Sequence, residues 1–303
     1  MKVVVALVTI GAAWGAAGLE AQDFKFDRNL AEGQRFALRN IVGDVRVEGT
    51  SGRTVQVEAV KREGRYGNAD DVEIRAVEID GGVAICVYYP GQYSRSDRRR
   101  NDRDDREDRD DRDNRRNRNR DNNVCHRDGR WSSNERNDTR VDFVIKVPTG
   151  LRLDLKTVSG DVWGRNLRGS IDLATVSGHL ELIDATADVL EASSVSGSVD
   201  LEGISAREVS AETVSGNVNY AGSIEGRGSY DFKTLSGNVL LTLPKQPDAR
   251  VSANTFSGRV RSEFPLEQDT RRRRNRASGT WGNGGAQLDL ESFSGNITIR
   301  TTR

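Results

Sequence analysis

The chain has no net charge to offer a partner: 46 Lys and Arg balance 46 Asp and Glu over 303 residues. Global electrostatics therefore gives no argument for nucleic acid or an anionic membrane. Long apolar runs are equally scarce. Only Val3–Ala17 qualifies, behind Lys2 and ahead of Gly18-Leu19-Glu20-Ala21-Gln22, the layout of a secretory signal cleaved after Ala21. The run is too short and wrongly flanked for a transmembrane helix. No Cys follows it, which argues against a lipoprotein anchor. Residues 1–21 are thus expected to be a signal peptide. The mature chain is expected to be exported to the periplasm, cell surface or medium, with no membrane span.

Cysteine is nearly missing as well. Cys86 and Cys125 are the whole complement, and in an exported protein an even pair reads as one disulfide. His126 adjoins Cys125, but sequence neighbours seldom form a thiol–imidazole pair and no third orienting group accompanies them. No nucleophile, metal-ligand or phosphate-loop motif appears elsewhere. No catalytic residue and no cofactor are expected, and the chain reads as a non-enzyme.

What the chain does have is a repeat. A hydrophobic residue, then Ser-Gly, one residue and another aliphatic occur seven times in its second half. The copies are Val158-Ser159-Gly160, Val176-Ser177-Gly178, Val195-Ser196-Gly197, Val214-Ser215-Gly216, Leu235-Ser236-Gly237, Phe256-Ser257-Gly258 and Phe293-Ser294-Gly295. Successive serines are 18, 19, 19, 21, 21 and 37 residues apart. A period near 20 marks stacked coils, each adding its own slice of core.

Each copy is preceded by strict alternation. Before Ser159, Thr157, Leu155 and Leu153 share one face, while Lys156, Asp154 and Arg152 share the other. After Ser-Gly, Val162, Leu180, Val199, Val218, Val239, Val260 and Ile297 head a second inward-facing strand. The hydrophobic residue before each Ser is out of step with the first face, so a bend is expected to turn it inward too. Ser-Gly then reads as the corner of a coil, Gly giving the backbone freedom and the close stacking, at about 4.8 Å per coil. The Thr/Ser column ahead of it is expected to satisfy itself as an internal hydroxyl ladder. A sandwich is the competing architecture, but sandwich strands differ in role and need not share a corner. The fold class is all-β, a single-domain β-solenoid resembling a parallel β-helix.

Two stretches interrupt the pattern. Residues 22–90 read as an N-terminal β segment with a first divergent coil around Gly43-Asp44-Val45, and 141–303 as the solenoid repeats. Between them, 91–140 is dominated from Ser94 to Asn123 by Arg, Asp and Asn. That segment has no aliphatic or aromatic side chain to bury and is expected to be a disordered, solvated polyampholyte. Its interleaved signs argue against both calcium at Asp102–Asp105 and nucleic acid at the arginines. The second interruption, 268–285, reads as a charged loop extruded from one coil or a degenerate coil, since 37 residues is close to two coils.

One outward column invites a metal. Asp154, Asp172 and Glu191 fall on three successive coils, close enough to repel. A divalent cation, the Arg-rich loop, or Arg152 and Lys156 with salt could offset that repulsion. The column is a candidate cation site and otherwise a solvated face.

The repeated Thr-Val-Ser-Gly-Asx-Val, the strand end Val147-Pro148-Thr149-Gly150-Leu151 and Asn40-Ile41-Val42-Gly43-Asp44-Val45 together resemble the bacterial putative-adhesin family of β-strand-repeat proteins of unknown function. The resemblance implies a β-helical, exported or envelope-associated protein and supplies no catalytic residues. The expected function is a surface adhesin or binding module. Its partner is a cell-surface or envelope component, a glycan or a protein, with a structural envelope role as the nearest rival and a polysaccharide-acting enzyme behind it. Repeated weak contacts along a flat β face would carry affinity.

Overall fold

The structure is a computed structural model that describes residues 23–89, 124–125, 137–269 and 275–302. The signal segment 1–21 and nearly all of the Arg/Asp/Asn-rich insertion lie outside the described residues.

Six strands precede the insertion: β1 (Phe24–Asn29), β2 (Arg35–Arg39), β3 (Val45–Thr50), β4 (Thr54–Arg62), β5 (Glu73–Ile79) and β6 (Gly82–Tyr88). After it come β7 (Arg140–Pro148), β8 (Leu151–Ser159), β9 (Val162–Arg165), β10 (Arg168–Ser177), β11 (Leu180–Ser196), β12 (Val199–Ser215) and β13 (Val218–Ser236). The chain ends with β14 (Val239–Leu243), β15 (Ala249–Thr255), β16 (Val260–Ser262), β17 (Glu267–Asp269), β18 (Asn275–Trp281), β19 (Ala286–Ser294) and β20 (Ile297–Thr301). One 3-10 turn, Ala69–Asp71, is the only helical element among the described residues, and no described helix is long and apolar enough to cross a membrane.

The strands form a two-walled β-solenoid. Residues before each Ser-Gly build one wall and residues after it the other, both from parallel strands in exact serial register: Ser159↔Ser177↔Ser196↔Ser215↔Ser236↔Ser294. The inward columns fill the space between the walls, with Leu155, Leu173, Ala192, Ala211, Phe232 and Leu290 facing Val162, Leu180, Val199, Val218, Val239 and Ile297, all buried. At the far corner the chain turns through left-handed backbone at Asn166, Asp184 and Gly203, residue types that accept it cheaply.

The Ser-Gly corner is packed on backbone. A Cβ on Gly178 would lie 1.9 Å from the Gly160 carbonyl oxygen, one on Gly216 2.2 Å from that of Gly197, and one on Gly237 1.8 Å from that of Gly216. The same carbonyls receive the buried hydroxyls. Thr175 Oγ1 donates to Gly160 O (3.0 Å), Ser194 Oγ to Gly178 O (3.1 Å), Thr213 Oγ1 to Gly197 O (2.8 Å) and Thr234 Oγ1 to Gly216 O (2.9 Å). The hydroxyls therefore do not form the ladder expected from the sequence. Each caps the glycine carbonyl of the neighbouring coil, which is the nearer acceptor once no side chain intervenes. Thr213→Val is accordingly expected to lower stability by about 1–3 kcal/mol, while Thr213→Ser, which keeps the donor, loses much less. Urea unfolding of both variants checks this, and equal losses would contradict the capping role.

A second expectation fails at the residue before Ser in every copy but the first, where Val158 is partly buried against the core. Val176, Val195, Val214, Leu235, Phe256 and Phe293 do not turn inward; they are 43% to 53% exposed. The alternation continues through them and then breaks at Ser, which is exposed as well, so the change of phase is absorbed over Ser, Gly and the residue after it.

Both ends of the stack break sequence order. The first coil, β2–β3, sits between the β6–β7 coil and the β8–β9 coil, and the last, β19–β20, sits between β13–β14 and β15–β16. Beyond the outermost parallel strands the chain adds antiparallel ones, β5 on β6 and β4 on β7 at one end, β18 on β15 at the other. Within the span 268–285, the described residues Asn275–Trp281 form β18, which pairs antiparallel with β15 and closes the stack there. It does so with buried Ala277 and with Trp281, which packs on Phe264 and donates from Nε1 to Pro265 O at 2.8 Å. These antiparallel additions occupy the outer edges of β6, β7 and β15, which a bare solenoid would present to other chains.

Candidate functional site

The outward side of the first wall holds the features that no structural requirement explains. Its outermost column, beside the corner, is the exposed apolar series. In spatial order it runs Val176, Val195, Val214, Leu235, Phe293, Phe256, because the last coil inserts ahead of the Phe256 coil. Scattered exposed apolar side chains are ordinary on a protein surface, but six on consecutive coils form a continuous ridge. Its broad end is a stacked pair, with the Phe256 and Phe293 rings 4.9 Å apart and 5° from parallel.

Alongside the ridge lies a groove of about 590 Å³. Its floor is the Ser194, Thr213, Thr234, Ser292 and Thr255 column, and its far bank carries Ser193, Glu212, Lys233, Glu291 and Asn254. Lys233 sits 3.7 Å from Glu212 and hydrogen-bonds Asp231. That hydrogen bond holds the ammonium above its usual range; burial opposes it, and the charges of Asp231, Glu212 and Glu291 add to it. The groove is apolar on one bank and charged on the other.

Towards the N-terminal end the same wall bears a polar cleft of about 510 Å³, lined by Arg35, Arg152, Asp154, Lys156, Asp172 and Glu191 among others. Here the acidic column of the sequence is in register, Asp154↔Asp172↔Glu191. The repulsion between Asp154 and Asp172 is offset by protein cations. Asp154 accepts from Arg39 at 2.8 and 2.6 Å and from Arg35, and Lys156 bridges Asp154 (3.4 Å) and Asp172 (2.8 Å). Burial alone would push the Asp154 carboxyl up, but the bonds and charges of Arg39 and Arg35, with Lys156, hold it below its usual range. Among the described residues no group of three His, Cys, Asp or Glu side chains is placed to hold a metal ion.

The two cysteines and the residues that follow each Ser-Gly play structural parts. Cys86 and Cys125 are joined in a disulfide with a Cα–Cα distance of 5.8 Å, packed against Ala37 and Ala84, so neither sulfur is a free nucleophile. Tyr88 donates to the Cys125 carbonyl at 3.3 Å, a second tie between β6 and the residues that follow the charged stretch 94–123. His179 pairs with Asp200 on the next coil, and its backbone N–H donates to Asp161 Oδ1 at 2.6 Å. Asn217, Asn238 and Asn296 continue that series as a corner ladder, each backbone N–H finding the side chain one coil away. Sequence reasoning missed the ridge itself. Its signal was present: seven copies place an apolar residue at the outward phase of an otherwise regular alternation.

Fold and surface together define a class, a capped two-walled β-solenoid with one apolar outward ridge. The chain belongs to the Toastrack DUF4097 family, whose sequence profile matches residues 149–300, about half of it. The N-terminal coil precedes the matched span yet stacks in register with it. No curated protein matches the chain. Among solved structures it is similar to a "putative cell adhesion protein" from Clostridium sporogenes, at 12% identity and a TM-score of 0.38, covering 92% of this chain and 99% of that one. A "putative adhesin" from Bacteroides fragilis is similar at 9% identity and a TM-score of 0.33, covering 92% and 96%. At those scores neither carries an argument about function.

Proposed function

We propose that the chain is a non-enzymatic, exported binding module of adhesin type, and that the ridge with its groove is the surface that meets a cell-surface or envelope component. The observation that carries this reading is the ridge. Six apolar side chains are held half-exposed in register on a wall whose inward residues already complete the core. Keeping them there has a solvation cost that a partner would remove. Serial presentation suits adhesion, because each level adds a small increment and the levels sum. The Cys86–Cys125 disulfide fits an oxidising, extracytoplasmic compartment.

The test is retention on the envelope fraction of the producing cells. Val195→Asp with Leu235→Asp is expected to cut retention at least tenfold, about 1.4 kcal/mol, with the unfolding midpoint held because both side chains point outward. Undiminished retention of that folded variant would remove the ridge from the binding surface.

A further inference from the structure

We infer that the ridge is built to receive a second copy of this chain, in a two-fold dimer with the coil order reversed. The inference rests on the reading of the ridge as a contact surface and names its occupant. The ridge is tapered: three valines occupy one half, and Leu235, Phe293 and Phe256 the other. Consider a two-fold axis lying in the contact plane, parallel to the strands and passing between the Val214 and Leu235 coils. It lays ridge on ridge and reverses the stack. Val214 then meets Leu235 of the second copy, Val195 meets Phe293, and Val176 meets Phe256. Every level pairs a small side chain with a larger one, so the gap between the walls stays nearly constant. A same-direction pairing would set Phe on Phe at one end and Val on Val at the other, opening a wedge that packing does not tolerate.

The charges obey the same operation. On the adjacent outward column the axis brings Glu212 of each copy opposite Lys233 of the other. Within one chain these two are already 3.7 Å apart, so the dimer closes a ring of four charges with alternating sign. Glu212 and Lys233 are the groups nearest the axis, where a self-matching interface needs its complementarity. Ser193 falls opposite Glu291, and Ala174 opposite Asn254, with no like-charge clash. One column further out, Glu191 would face Asp289, so the contact ends at the second column.

Six levels at about 4.8 Å give a strip roughly 24 Å long and two columns wide. That is short of the about 800 Å² per partner of a standard interface, so the dimer is concentration-dependent. The alternative occupant within the chain is poorly matched, since the span 94–123 has no aliphatic or aromatic side chain for the groove.

Sedimentation equilibrium of the full chain, from roughly 1 to 100 μM where small interfaces fall, is expected to show monomer and dimer. Leu235→Asp is expected to weaken the dimer at least tenfold. Orientation is read with Val176→Cys and Phe256→Cys as separate variants and a short bismaleimide, the two native cysteines being in their disulfide. Neither variant alone should cross-link, since identical positions lie five levels, about 24 Å, apart, while an equal mixture of the two should. A monomer at every concentration overturns the inference, as does a dimer that survives Leu235→Asp, or self-cross-linking of either single variant. A monomer whose ridge variants still lose envelope retention overturns the second copy alone. A dimer lost in Leu235→Asp without loss of retention keeps the second copy and removes the envelope partner.

Discussion

Gly237→Ala is expected to cost about 3 kcal/mol or more of folding stability, the upper end for a small-to-large change. The added Cβ would sit 1.8 Å from the Gly216 carbonyl oxygen, where no rotamer can relieve it because the obstacle is backbone. That carbonyl is fixed from two sides. It accepts the Thr234 hydroxyl at 2.9 Å, and its coil is held by the Gly216 N–H to Ser236 O bond at 3.1 Å. Relief therefore means separating two coils, which loosens the parallel ladder on both walls. Against this, the lower chain entropy of unfolded alanine returns only about 0.4–1 kcal/mol. Gly226→Ala is the control. Its Cβ would meet nothing within 4 Å, and its change should stay within about 1 kcal/mol. Urea unfolding of the two variants reads the difference. If Gly237→Ala unfolds alongside Gly226→Ala, the corner is not stacked as tightly as the carbonyl contact requires.

The corner glycines were legible in the sequence because their constraint is local and repeats every coil. The inward columns were legible for the same reason: period two along the strand and period 20 along the chain overdetermine them. The hydroxyl acceptors were not, since Thr213 and its acceptor Gly197 belong to neighbouring coils and only stacking brings them together. Nor was the direction of the ridge, because an apolar residue at an outward phase reads as core wherever burial is assumed for every aliphatic. Coil order at the two ends was hidden more deeply. The copies at Phe256 and Phe293 look consecutive, yet Phe293 lies against the Leu235 coil, and only strand pairing reveals the exchange. The acidic column shows the limit most plainly. Asp154, Asp172 and Glu191 were placed correctly in one register, but the cations that neutralise Asp154 include Arg39 and Arg35, 115 and 119 residues earlier in the chain.

Those two arginines make Asp154→Ala the second large effect, expected to cost about 3 kcal/mol or more. The carboxylate is nearly inaccessible, and the Arg39 and Arg35 side chains are only 11% and 18% exposed, so the cations would remain largely desolvated after their counter-charge is gone. The bonds in question join the first coil to the β8 coil, so their loss acts on the docking of an inserted strand rather than on a free surface. Asp154→Asn keeps the volume and one acceptor and should lose less. The pH dependence follows from the sign of the shift. The folded carboxyl ionises below the unfolded value of about 3.9, so its stabilisation is complete above that value. As pH falls from about 4 through the folded pKa, the unfolded chain binds the proton first and the stabilisation is lost. Wild type minus Asp154→Asn, measured as unfolding free energy, should therefore be flat from neutral pH down to about 4 and then narrow. A difference that widens with acidification, or that changes around neutral pH, would mean that the Asp154 cluster is not the ion pair linking the first coil to the stack.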